Sequence, residues 1–105
     1  QNNIPALEAD LGSPLSVAIG PDGAVYFSDD GGLRIRRVDP ITGILSTILG
    51  NGVQASASDG SLAATSPAGV PRGVSFDAAG SLLFLELVGG GKLRRINAEG
   101  RLETV

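Results

Sequence analysis

The chain repeats itself, and this repetition constrains its fold more than any single residue does. Pro14-Leu-Ser-Val-Ala-Ile-Gly-Pro-Asp-Gly-Ala-Val-Tyr-Phe-Ser-Asp29 aligns without gaps on Pro71-Arg-Gly-Val-Ser-Phe-Asp-Ala-Ala-Gly-Ser-Leu-Leu-Phe-Leu-Glu86, an offset of 57 residues. One extra residue in the next Gly-rich turn brings Arg34–Asp39 onto Lys92–Asn97. One fewer in the following turn restores the offset for Gly43–Ile48 against Gly100–Val105. Length changes confined to turns mark the matched runs as paired strands, because a shifted register would turn every side chain to the wrong face.

Each copy divides into four short strands separated by turn chemistry. The first copy predicts strands over Leu15–Gly20, Ala24–Asp29, Leu33–Val38 and Ile44–Leu49. The second predicts Arg72–Asp77, Ser81–Glu86, Lys92–Ile96 and Arg101–Val105. The 16 glycines fall between apolar runs with no collagen-like period, as punctuation would. Only Leu62–Thr65 suggests a helical turn, so the fold class is all-β: two four-stranded antiparallel meanders. The chain parts into a leading segment 1–13, a first blade-like sheet 14–49, a long connector 50–70 and a second sheet 71–105.

The second strand of each copy is apolar on both faces, with Val25-Tyr26-Phe27 in one and Leu82-Leu83-Phe84-Leu85 in the other. Each sheet therefore needs a neighbour on both sides. Two sheets share one interface and leave two outer faces open, the property that closes propellers into rings of about four to eight blades.

Composition removes several chemistries. Cysteine and histidine are both absent, which eliminates disulfides, thiolate and imidazole metal ligands and the commonest general base. No G-x-S-x-G elbow accompanies the serines, so no serine hydrolase is expected. A net charge of −3 gives no overall attraction to phosphate backbones, and neither a leader pattern nor a membrane span is visible. The expectation is a soluble, non-enzymatic chain with no cofactor, no membrane association and no assigned compartment.

The strongest local feature is basic. Arg34, Arg36, Arg37, Lys92, Arg94 and Arg95 are six of the eight basic residues and occupy equivalent third strands. They are candidate contacts for an anion or ligand. Alternatively, they pair with Asp29, Asp39 and Glu86 and cover apolar neighbours with their stems. Asp29-Asp30-Gly31-Gly32 lacks the spacing of a calcium loop, and Pro21-Asp22-Gly23 is hairpin chemistry. Asp22, Gly23, Asp29 and Gly80 are thus read as structural turn residues. Gly89-Gly90-Gly91-Lys92 lacks phosphate-loop spacing and leads into a strand rather than a helix.

The run P-x-x-V-A-I-x-P-D-G-x-V-Y-F-S-D, followed by G-G-L-R-I-R-R-V-D, resembles the NHL repeat of six-bladed β-propellers. The stretch from Gly50-Asn51-Gly52 through Asp59-Gly60 to Pro71 resembles the long connector of bacterial and teneurin-like NHL repeats. The second copy departs from the pattern at Leu85-Glu86-Leu87-Val88, which is more apolar than Ser28-Asp29-Asp30-Gly31. The resemblance implies a scaffold or protein-interaction propeller. The other implied role is a ligand-binding propeller for an anion, RNA or glycan, with RNA disfavoured by the acidic balance and glycan by the single tyrosine and absent tryptophan. The family's amidating lyases use metal-bound histidines, which this chain lacks. Two periods of 57 exceed the 105 residues by nine, matching Leu49–Ala57 of the connector. Three copies would supply six blades, so the expected partner is the chain itself in a homotrimer, with a longer parent chain as the competing source of the missing blades and further protein partners open.

Overall fold

The computed structural model describes residues 4–5, 14–29, 33–88 and 91–105. Nine strands carry the described fold: β1 (Ile4–Pro5), β2 (Pro14–Ile19), β3 (Val25–Asp29), β4 (Arg34–Val38), β5 (Ile44–Leu49), β6 (Pro71–Phe76), β7 (Leu82–Glu86), β8 (Lys92–Ile96) and β9 (Leu102–Thr104). Sheet 1 runs β1-β5-β4-β3-β2 and sheet 2 runs β6-β7-β8-β9, with every ladder antiparallel.

Both expected meanders form, with strand ends displaced by a residue or so from the expected bounds. Ile44–Leu49 and Lys92–Ile96 match outright. Asp29 ends β3 as a buried strand residue rather than lying in the turn that follows, so its reading as a turn residue is corrected. The segment after it, 30–32, lies outside the described residues, as do 89–90. The helical turn is a single 3-10 turn at Ala63–Thr65.

The turns show why these residues interrupt the strands. Gly23 (φ +81°) donates its N–H to Gly20 O, and Asp22 Oδ1 accepts the Ala24 N–H. Gly80 (φ +86°) repeats the turn, with Asp77 Oδ1 accepting from Ala79 and Ser81. Both glycines sit in the left-handed region that costs other residues energy.

The fifth strand of sheet 1 was not expected, because the leading segment reads as a connector. Pro5 pairs with Ile44 at the outer edge of β5. One repeat later, Leu62 bridges Arg101 in the same antiparallel sense. The chain entering each sheet is thus stitched to that sheet's outermost strand.

The core lies between the sheets. Ile35 and Leu49 of sheet 1 pack with Val74, Leu82, Phe84, Ile96 and Leu102 of sheet 2. Ala18, Tyr26, Ile48 and Phe76 border this cluster, and the Tyr26 and Phe76 rings meet edge to face at 4.9 Å. Strand alternation gives each sheet two faces. The front face of sheet 1, bearing Ala18, Tyr26 and Ile35, meets the back face of sheet 2, bearing Val74, Phe76 and Phe84.

Candidate functional site

The arginine-bearing strands β4 and β8 hold the same register against their neighbours: Phe27 faces Arg36, and Phe84 faces Arg94. The two arginines are both 1% exposed, yet their surroundings differ.

Arg94 is enclosed by acceptors. Its Nη1 donates to Glu86 Oε2 at 3.3 Å and to Ala57 O at 2.7 Å, and Nη2 donates to Asp59 Oδ1 at 2.9 Å. Ser56 Oγ donates to Glu86 Oε1 at 2.6 Å, Lys92 Nζ reaches Ser56 Oγ at 3.3 Å, and Thr104 Oγ1 donates to Asp59 at 2.8 Å. This network fastens connector residues Ser56–Asp59 onto sheet 2. A buried guanidinium would be costly alone, and these acceptors offset its lost hydration.

Arg36 leaves Nε and Nη2 without hydrogen-bond partners. Burial and the nearby Arg34 charge hold its pKa below the ordinary arginine value, while Asp29 opposes that shift. Arg34 is half-buried, packed where the backbone at Gly52 approaches its guanidinium.

Arg37 and Arg95 point to the other face and lie in partly exposed ion pairs. Arg37 Nη2 is 3.0 Å from Asp22 Oδ2 and Nη1 is 3.4 Å from Asp39, with Tyr26 Oη donating to the same Asp22 oxygen. Arg95 pairs with Glu103 at 2.9 Å and lies 3.7 Å from Asp77. Of the six basic candidates, Arg37, Arg94 and Arg95 thus meet carboxylates and Lys92 meets a hydroxyl; Arg36 retains two buried donors without acceptors, where Arg94 retains only Nε. Sequence reasoning missed Asp59, Ser56 and the Ala57 carbonyl, which approach Arg94 from the connector. Among the described residues, no group of three acidic, histidine or cysteine side chains could hold a metal ion.

The second notable surface is apolar. On the back face of sheet 1, Val17 is 66% and Ile19 64% exposed, whereas Val74, the counterpart of Val17 in sheet 2, is 6% exposed. On the front face of sheet 2, Leu93 is 41% exposed where its counterpart Ile35 is fully buried. Leu85 and Val105 extend that front face.

The two antiparallel meanders, stacked face to face, resemble the blades of a β-propeller. A catalytically inactive variant of virginiamycin B lyase from Staphylococcus aureus, crystallised with quinupristin, has a similar fold: TM-score 0.63 at 20% identity over 92% of this chain. That protein is a seven-bladed propeller, and this chain spans 28% of its length. No family model matches the chain, and no curated protein matches it in sequence. Among the described residues, no helix is long and apolar enough to cross a membrane.

Proposed function

We propose that the chain is a two-blade unit of a non-catalytic, NHL-type propeller. It serves as a structural and protein-interaction scaffold and closes with two further copies into a six-bladed ring. The observation carrying this reading is the contrast between matched positions: Val74 and Ile35 are buried at the joint between the sheets, while Val17 and Leu93 are bare on the outer faces. Covering those faces removes apolar surface from water, at about 25 cal/mol per Å². The neighbouring lyase closes an odd number of blades, which identical two-blade units cannot reproduce. The absence of histidine supports a role apart from metal-imidazole chemistry.

The deciding experiment is the solution mass by sedimentation equilibrium. Three times the chain mass of 10.6 kDa is expected; a cooperatively folded monomer across the micromolar range would refute the ring.

A second reading, a ligand-binding propeller, draws support from Arg36 alone, whose buried donors could meet an anion. It requires binding of heparin or RNA that weakens with salt and is lost in Arg36→Gln.

A further inference from the structure

The geometry points to a head-to-tail joint between copies, in which the front face of sheet 2 seats on the back face of sheet 1 of the next copy. This rests on the ring reading above and adds which surfaces meet and which residue pairs set their strength. The argument comes from the joint already present inside the chain. Ser28, Tyr26, Ile35 and Ile48 of its front half correspond by the repeat to Leu85, Leu83, Leu93 and Val105. Val74 and Phe76 of its back half correspond to Val17 and Ile19.

The exposed apolar residues Leu85, Leu93 and Val105 therefore form a front half lacking its back, and Val17 and Ile19 form a back half lacking its front. A symmetric front-to-front contact would cover only the first set and leave the second in water. Only the heterologous contact covers both, and with a closing rotation it generates a ring.

The joint between copies differs from the internal one at two places. Inside the chain, Tyr26 meets Phe76 ring to ring, and Ser28 Oγ, Ser16 Oγ and the Val74 N–H form a relay across the sheets, with 2.9 and 3.2 Å between successive groups. Between copies the ring pair becomes Leu83 with Ile19. Ser16 is replaced by Gly73, over which Leu85 lies, so the relay has no counterpart. The joint between copies thus lacks both the ring pair and the hydroxyl relay of the internal one, and, having no covalent connection, it is the one at which the ring opens on dilution.

The test uses the full chain in sedimentation velocity. Val17→Asp and Leu93→Asp each place a charge on one open face, at positions exposed within a single chain, so both variants should keep the wild-type circular dichroism spectrum. Each alone should sediment as a monomer, and an equimolar mixture should form a one-to-one complex, because each variant retains the face the other has lost. The pair Leu83→Tyr with Ile19→Phe transplants the internal ring contact and should tighten association by roughly two- to tenfold. A single variant that still dimerises through its intact face, a mixture that stays monomeric, or an aromatic pair that fails to tighten association overturns this joint. An assembled wild type indifferent to both charges overturns the joint alone, whereas a monomeric wild type overturns the ring with it.

Discussion

Arg94 and Glu86 form a buried ion pair at 3.3 Å beneath the connector, while Arg36, at the matching place one repeat earlier, is equally buried with two donors unmet. The same residue in the same register therefore contributes differently in the two sheets. Arg94→Met should destabilise the chain by about 3–5 kcal/mol, since it strands Glu86 and releases Asp59 and the Ala57 carbonyl. The double variant Arg94→Met, Glu86→Leu should recover much of that loss. Arg36→Met should cost less, because Nε and Nη2 already lack acceptors, although it too removes the positive charge beside buried Asp29. Urea denaturation decides the matter; equal losses for the two arginines would contradict the distinction.

Asp39 controls part of the acid response. The Thr42 and Ile41 backbone N–H groups donate to its carboxylate and hold its pKa at about 2, below the ordinary 3.8. A carboxyl held low contributes stability that is complete above its unfolded pKa and is lost as pH falls through the folded value. The window for Asp39 therefore lies between about 3.8 and about 2. Asn97 fills the same turn in sheet 2 and accepts the Glu99 and Arg101 N–H groups through Oδ1. Asp39→Asn should accordingly lower stability at pH 7, where the ionised carboxylate and its contact with Arg37 are lost, and make the further loss below pH 4 shallower, so that variant and wild type converge in thermal melts as pH falls.

Gly69 is required by contact rather than by its own dihedral angle. A Cβ there would lie 2.7 Å from Glu86 Cγ, whose carboxylate is engaged by Ser56 and Arg94. Gly69→Ala should cost roughly 1–3 kcal/mol by overpacking. It should also accelerate proteolysis within the connector, observable by limited digestion and mass mapping.

The two equivalent valines offer a concentration-dependent comparison. Val74→Ala should destabilise the chain by about 2 kcal/mol at any concentration, because Val74 is buried within one chain. Val17→Ala should have an effect within about 0.5 kcal/mol in dilute solution. Its cost should appear only where copies associate, since assembly stabilises by mass action. A Val17→Ala effect unchanged by dilution would show that the exposed face takes no part in assembly.

The fold was largely legible because its punctuation is local. Pro21-Asp22-Gly23 and Asp77 to Gly80 announce their turns through residues only a few positions apart, and gap-free alignment transfers each strand to its counterpart. The arginines were legible only as a cluster. Arg36 and Arg37 are adjacent and identical in type, so no pattern separates the one that is buried from the one that meets Asp22 and Asp39. Asp59 left no signal because it reaches Arg94 from 35 positions away through a connector without periodicity. Pro5 was missed because a two-residue strand is too short to show alternation.

The stitching of Pro5 to Ile44, and of Leu62 to Arg101, bears on solubility. An outermost strand normally offers a row of unpaired amides to any passing strand, an invitation to aggregation. Here Gly60 donates to Leu102 O, Leu102 to Ser61 O and Ala63 to Gly100 O, so the incoming chain occupies amide and carbonyl groups along the margin of sheet 2. A blade hemmed in this way directs association to its broad apolar sides, favouring stacking of limited number over open-ended growth by strand addition.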